Sequence, residues 1–359
     1  MSRLRDRRKL YYITRSRLKL ILNDLRQKRQ LGLMKKLKMW RMGFTSDTYL
    51  MYGLDRNDPK LYFSDLQEAM TRFINQPYSE IFNNKIIFER VYSRFVRVPK
   101  TFALVGDGFC LVFYGSTADL PAYRDDILNA VEELARKHGK LVVKPVRGAF
   151  GAGVMIIEHI EGRGLIVNNK MWAREILEKS FKSLNQYYIS EFIEQAAYSK
   201  MLYPNASNTM RVLTMTCPES NETFIAAAVK RIGTERSAPV DNNSSGGISA
   251  AINIEKGTLS AAKCLSGNQM ASFDHHPDSG ALINGVKVPN WVEIKKKIIQ
   301  VAGALPYIKY AGWDIIDKDH EIVIIEGNNN PRCRVCQIHE PLLYNQRVIK
   351  FYQYHGLLK

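Results

Sequence analysis

The sequence predicts an α+β fold of two lobes behind a basic helical N-terminal segment, and three observations carry that expectation. A strand, a glycine-rich loop and a second strand follow one another in KLVVKPVRGAFGAGVMIIE, residues 140 to 158. A second pair of apolar strands, in GWDIIDKDHEIVIIEGNNN at 312 to 330, holds acidic and amide side chains among its isoleucines. Charge is unevenly spread: residues 1 to 42 contain fifteen Lys and Arg against Asp6 and Asp24, most of the net +17 of the 359-residue chain.

With 45% hydrophobic and 24% charged residues, the chain reads as an ordinary globular protein, large enough for one composite domain or two to three lobes. No apolar run approaches the ~20 residues of a membrane span, and the N-terminus lacks the apolar core of a signal peptide, so the expected setting is cytoplasmic. Five cysteines, Cys110, Cys217, Cys264, Cys333 and Cys336, are odd in number and scattered, which suits reduced thiols. Cys333-x-x-Cys336 has no second pair at zinc-finger spacing, so two ordinary thiols are expected there.

Residues 1 to 42 set that charge among Leu4, Leu10, Leu18, Leu22, Leu25, Leu33, Leu37 and Trp40, the pattern of a basic amphipathic helix interrupted near Gly32. Such a segment suits an anionic membrane surface peripherally, an acidic protein partner, a phosphate polymer, or a plain solvated cap. No zinc-ligand pattern, RNP-like aromatic run or helix-turn-helix signature supports specific nucleic-acid binding. Residues 43 to 98 read as a helical region of short helices and turns. Its last helix opens at Asn84-Lys85, with Ile86, Ile87, Val91 and Phe95 expected inward, and ends before Val98-Pro99.

From 99 to 190 a first lobe is expected. Strands fall at Thr101 to Leu104 and Phe109 to Tyr114, and a helix from Asp125 to His138 is stopped by Gly139. A helical stripe of Trp172, Ile176, Leu177, Phe181 and Leu184 follows the glycine loop, and Tyr187 to Ile193 reads as a strand. The second lobe, 191 to 359, should hold strands at 209 to 216, 224 to 232, 248 to 254 and 259 to 265. Helices follow at 290 to 302, with Trp291, Ile294, Ile298 and Val301 inward, and at 340 to 354.

The glycine loop reads as a phosphate grip. Gly148, Gly151 and Gly153 free the backbone amides to turn toward an anion, and Lys144 and Arg147 add charge. A P-loop needs Lys then Ser or Thr after its glycines, and a dinucleotide fingerprint opens a helix. Here the lysine comes first, the spacing is G-x-x-G-x-G, and a strand follows. In the 312 to 330 stretch, a hairpin centred near His320 puts Asp314 opposite Glu326, a destabilising like-charge pair unless a cation lies between them. Asn328 projects to the same face as Glu326. Three hard oxygen donors of this kind suit Mg²⁺ shared with phosphates and water.

The order Asn84-Lys85, Val98-Pro99-Lys100, VVKP with its glycine loop, ISEFIEQ, NTMRVLT, and then Asp314, Glu326 and Asn328 resembles the ATP-grasp enzymes. VDNNSSGG (240 to 247), HPDSG (276 to 280), VPNW (288 to 291) and GWDIID with IIEGNNNP narrow the resemblance to the sugar-transfer-associated ATP-grasp family. An α/β domain such as usually precedes an ATP-grasp core is not evident in residues 1 to 80. The resemblance implies two α+β lobes gripping ATP, with Lys85 and Lys144 on its phosphates and Gly148, Gly151 and Gly153 closing over them. Glu191, Phe192 and Ile193 would be the hinge that reads adenine, and Glu194 would meet the ribose. Arg211, Lys230 and Arg231 would lie over the phosphates and the transferred group, and Asp314, Glu326 and Asn328 would bind one or two Mg²⁺. Arg332 and Arg334 are candidates for a substrate carboxylate, and Asn243, His276 and Asp278 for the acceptor pocket. The implied reaction is ATP-dependent joining of a carboxylate to an amine, one of them sugar-linked. The rival readings are an ATP-binding partner of a glycan-assembly complex without catalysis, and a kinase.

Overall fold

The computed structural model describes residues 2–27, 31–113, 121–148, 153–318 and 321–359, with side chains from residue 11 onward. Tyr114, Gly151 and His320, on which expectations for a strand end, the glycine loop and a turn fall, lie outside the described residues.

The N-terminal segment forms two helices, α1 (Ser2–Arg26) and α2 (Leu33–Met42), and Gly32 is the N-cap of the second. Asp24 fastens these two helices to each other and to Ser46. Its buried carboxylate accepts the indole N–H of Trp40 at 2.9 Å, and the amide and hydroxyl of Ser46 at 2.6 and 2.8 Å. Short helices come next, α3 (Ser46–Tyr52) and α4 (Asp65–Met70), each started by a capping box, from Thr45 with Thr48 and from Ser64 with Gln67. After them stand α5 (Glu80–Asn83) and α6 (Lys85–Tyr92), the latter capped by the Asn84 side chain as its sequence predicts.

The inward face of α6 differs from expectation. Phe88 and Tyr92 are buried, whereas Ile87 and Phe95 are more than one third exposed. The two buried aromatics sit four residues apart and pack with Phe82 around Trp313, with Tyr92 and Trp313 centroids 5.3 Å apart in an edge-on pair. Aromatic rings bury more area than the aliphatic set, and they decide which side of the helix turns in.

The first lobe is built on β1 (Thr101–Gly106), β2 (Phe109–Val112), β3 (Ala122–Arg124), helix α7 (Ile127–His138), β4 (Lys140–Pro145), β5 (Met155–Ile160), β6 (Gly164–Val167), β7 (Lys170–Met171), helix α8 (Arg174–Lys182) and β8 (Tyr187–Glu191). The strands form an antiparallel sheet in the order β3-β2-β1-β8-β4-β5-β6-β7. Helix α7 buries Ile127, Leu128, Val131 and Leu134 against it, and Gly139 stops the helix at φ +77°. Of the stripe expected on α8, Leu177, Phe181 and Leu184 are buried but Ile176 faces solvent. Ile176 stands one residue, and so about 100° around the helix, from Leu177.

The second lobe adds α9 (Ala197–Leu202), β9 (Met210–Thr216), β10 (Thr223–Ile232), β11 (Ile248–Ala251), β12 (Ala262–Ser266), β13 (Gln269–Phe273), α10 (Trp291–Gly303), β14 (Tyr310–Lys318), β15 (Glu321–Asn328), α11 (Arg334–Gln337) and α12 (Gln346–Tyr354). The sheet order is β13-β12-β11-β10-β9-β14-β15. Strand β9 is buried on both faces: Met210 and Val212 join the core around Trp291 and Ile298, while Leu213 and Met215 join Phe63, Phe351 and Tyr352. The strand period of two delivers those alternate residues to opposite cores. The N-terminal region is bound to this second core. Gln337 bonds the Phe63 backbone and the Tyr52 hydroxyl, and Asn75 bonds the Tyr310 carbonyl and Asn329. No helix among the described residues is long and apolar enough to cross a membrane.

Gly327 on β15 lies directly under the Phe82 and Phe88 rings, where a Cβ would collide with both. Gly327→Ala is expected to cost about 1–3 kcal/mol by overpacking, read as a lower urea midpoint with an unchanged slope.

Candidate active site

The hairpin of β14 and β15 has the register expected from its sequence: Asp314 pairs with Glu326, and Gly312 with Asn328. Both carboxylates line a cleft of about 1220 Å³ between the sheets. Burial alone would raise Asp314, but two guanidinium groups outweigh it and hold the carboxyl well below the usual carboxylate range. Arg211, from the neighbouring β9, grips both oxygens of Asp314, and Arg231 reaches Asp314 Oδ2 at 3.0 Å. Arg231 is fixed in turn by Thr209 Oγ1 at 2.6 and 2.9 Å. Glu326 lacks such a grip. Burial and then Asp314 push its pKa up, partly countered by Lys85 and Lys144.

Lys85 opens α6 and Lys144 lies near the end of β4, and both bear electrostatically on the same acid from different elements. Lys85 Nζ lies 3.8 Å from Glu326 Oε2 and donates to the Gly148 carbonyl at 3.2 Å. Lys144 Nζ sits 5.4 Å from the Tyr188 ring centroid. Burial lowers the pKa of both lysines against the opposing pull of Glu326. Four cations, Lys85, Lys144, Arg211 and Arg231, therefore surround two carboxylates, a surplus of positive charge suited to a polyphosphate. Gly148 (φ +156°) and Gly153 (φ +74°) are at the ends of the loop, and a Cβ on Gly153 would strike the Tyr187 hydroxyl. Gly151 lies outside the described residues.

Next to these charges the cleft is apolar. Val142, Ile156, Phe192, Ile193, Ile316 and Ile325 line it, with Ile193, Ile316 and Val323 forming a small core beneath. An apolar lining of this kind is suited to a planar ring. Glu191 also borders it, but its carboxylate is held by Arg97 at 2.5 Å. The chain leaves β8 at Glu191 and is fixed again at Ala196, whose amide bonds the Asp317 carbonyl at 2.8 Å.

Three expected site residues lie elsewhere. Lys230 is fully buried and turned away from the cleft. Its ammonium meets Asp317 at 3.0 Å, Ser199 at 2.5 Å and Tyr198 at 3.1 Å. Adjacent strand residues point to opposite faces, so Arg231 enters the site and Lys230 cannot. His276 is a satisfied structural residue: its Nε2–H donates to the Gly233 carbonyl at 2.7 Å, and Nδ1 accepts the amides of Asp278 and Ser279. Glu194 pairs with Lys200 at 2.7 Å and is not among the residues lining the cleft. Cys333 and Cys336 are free and buried, Cys333 beside the Tyr310 hydroxyl at 3.2 Å.

The far end of the cleft carries Asn243, Asp278, Arg332 and Arg334 as expected, and Asn328 at its edge. Arg334 is committed to Asp65 at 2.8 Å. Asn243 bonds Ser249, which also meets His339 Nε2 at 3.2 Å. Among the described residues, Asn243 Oδ1 and His339 Nδ1 are buried without a hydrogen-bond partner. Sequence reasoning missed Gln27, Asp47, Met51 and Arg72, which wall this end from the N-terminal region. No local motif marks them, because helix packing alone brings them there.

The oxygen donors fit a hard divalent cation in part. Among the described residues no three His, Cys, Asp or Glu cluster as a closed metal site. Two carboxylates and the Asn328 amide make an open set, the kind Mg²⁺ completes with water and phosphate oxygens. The raised Glu326 is the group a cation would relieve.

The fold and this cleft belong to the ATP-grasp class of nucleotide-binding proteins. Residues 66–350 match the model of the sugar-transfer associated ATP-grasp family, and the chain is a member of it. Among solved structures the chain resembles the ATP-grasp ligase PsnB complexed with a minimal precursor, at 13% identity and TM-score 0.37, covering 74% of this chain and 57% of that one. It also resembles an L-amino acid ligase from Bacillus licheniformis, at 11% identity and TM-score 0.34, covering 70% and 41%. D-alanyl-alanine synthetase A from Vibrio cholerae O1 biovar eltor str. N16961 is similar at 9% and 0.44, covering 77% and 64%. The chain thus spans less than two thirds of each of these solved chains. No curated protein matches the sequence.

Glu68, behind Arg332 and Arg334, gives a test of pH dependence. Its buried carboxyl accepts the Cys333 amide at 2.9 Å. Burial, then Asp65, lifts its pKa from 4.5 to about 7, against the pull of Arg334. A carboxyl raised on folding contributes stability that is complete below its unfolded value and lost as pH rises through about 7. Glu68→Gln should therefore match the wild type in unfolding free energy near pH 4.5 and exceed it by up to about 3 kcal/mol at pH 8, measured by urea titration at both pH values.

Proposed function

We propose that the protein is an ATP- and Mg²⁺-dependent carboxylate–amine ligase acting on a glycan precursor or sugar-linked substrate. The observation that carries this reading is the meeting of Lys85, Lys144, Arg211, Arg231, Asp314, Glu326 and Asn328 on one cleft of about 1220 Å³. Ligand pockets commonly run to roughly 300–1,000 Å³, so a cleft of about 1220 Å³ leaves room beyond ATP. Sugar linkage follows only from the family's description.

In this reading the apolar slot at Val142, Phe192, Ile193 and Ile325 takes adenine, and Lys85, Lys144 and the glycine loop take the phosphates. Asp314, Glu326 and Asn328 would hold Mg²⁺, which would supply charge neutralisation for phosphoryl transfer. Arg211 and Arg231 keep Asp314 ionised and oriented. Arg332 steadies the substrate carboxylate, which attacks the γ-phosphorus and becomes an acyl phosphate as ADP departs. The amine then attacks the acyl carbon, giving an amide and releasing phosphate. The free cysteines fit a cytoplasmic setting, where ATP is supplied.

The test is Mg²⁺-dependent ADP release against a matrix of amino acids and uronic-acid sugars. A carboxylate and an amine together should stimulate it. Glu326→Gln should lower turnover roughly 100-fold or more, while the ligand-free variant melts no lower than wild type at neutral pH, because a raised carboxyl has been neutralised. ADP formed with no amine requirement would instead mean a kinase, and ATP binding without turnover across carboxylate substrates would mean a non-catalytic binder.

A further inference from the structure

The surface that lacks a partner lies on the first two helices. In α1, Leu20 and Asp24 are buried against the fold, whereas Tyr11, Leu18, Leu22 and Leu25 face solvent. At 3.6 residues per turn these four fall within an arc of roughly 60° on the opposite side of the helix. Helix α2 repeats the feature with Leu33, Met34 and Leu37, and the six aliphatic side chains are 47% to 80% exposed. Arg15, Arg17, Lys19, Arg26, Lys35 and Lys38 stand exposed around them. The only acid between residues 11 and 42 is Asp24, and it is turned inward to Trp40 and Ser46. The outward face is thus apolar and cationic, without a compensating carboxylate.

We infer that this two-helix face docks on an anionic lipid bilayer, with the leucines entering the acyl boundary and the basic residues resting on the headgroups. A helix with an apolar stripe flanked by Lys and Arg matches that interface in both layers. A second copy of the chain would set an equal positive charge against this one, and nucleic acid would leave the leucine stripe in water. Gln27, at the end of α1, borders the cleft with Asp47 and Met51 of α3, so docking sets the far end of the cleft beside the lipid surface.

The test is co-sedimentation of the full chain with phosphatidylcholine vesicles with and without phosphatidylglycerol, in the absence of nucleotide, so that the outcome does not depend on the ligase reading. Wild type should bind the anionic vesicles and not the neutral ones. Leu18→Ser/Leu22→Ser/Leu25→Ser and Arg15→Glu/Lys19→Glu should each weaken binding roughly tenfold or more, with melting temperatures unchanged because every altered side chain is exposed. Equal binding to both vesicle types overturns the inference. So does a serine variant that binds like wild type, which would point to an acidic macromolecule, or a wild-type dimer in gel filtration that the serine variant dissociates.

Discussion

Asp314 and Glu326 face each other across a buried antiparallel pair, and the cost of that juxtaposition organises the second lobe. A buried carboxylate without a partner would neutralise itself by taking a proton. Asp314 remains ionised because Arg211 and Arg231 come from the next two strands, β9 and β10, and converge on its two oxygens. Three adjacent strands are therefore held in register by charge as well as by their ladders, and a slip of one residue would turn each arginine to the wrong face. Glu326 has only lysines from other elements near it. Asp314 is gripped by two guanidinium groups, whereas Glu326 has no such grip and its pKa is pushed up by burial and by Asp314.

A second buried ion pair, Lys230 with Asp317, stands beside the first with a different purpose. Its partners Ser199 and Tyr198 belong to α9, just past the segment that leaves β8 at Glu191. Together with the bond from the Ala196 amide to the Asp317 carbonyl, it joins that connecting segment to the strand that carries Asp314. Breaking a buried pair by removing one member usually costs several kcal/mol. Consecutive residues Lys230 and Arg231 thus serve opposite faces of one strand, the first fixing the connection and the second the charge cluster.

Much of this was legible in the sequence where the signal was local. Asn84 as a cap, Gly139 as a stop, the inward positions of α7 and α10, and the pairing of Asp314 with Glu326 all follow from spacing along one element or across one turn. The errors have a common cause. The expectation for Lys230 follows from the family resemblance, that for His276 from its place in a candidate acceptor motif, and those for Ile87 and Ile176 from approximate periodicity, and each is decided by a neighbour distant in sequence: Asp317 for Lys230, the Gly233 carbonyl for His276, the aromatic group around Trp313 for the face that excludes Ile87, and the α7 side of the sheet for Ile176. The strands β3, β7 and β13 went unnoticed because they are short and partly exposed, and β6 because its four residues are too short a run to stand out. The N-terminal wall of the cleft had no motif at all.

That wall has a bearing on how the chain comes to be folded. Residues 63 to 75 are secured by partners near the other end of the sequence: Asp65 by Arg334, Glu68 by the Cys333 amide, Phe63 by Gln337 and Tyr352, and Asn75 by Tyr310. Contacts across more than 200 residues are formed late, because closing so large a loop costs entropy before any contact repays it. Tyr52 has a local core with Phe44 and Tyr62, but Phe63 packs with residues of β9, β10, β14 and the chain beyond β15. Seating of this region is therefore coupled to completion of the second lobe, and loss of the segment after β15 would strip Phe63, Asp65 and Glu68 of their partners together.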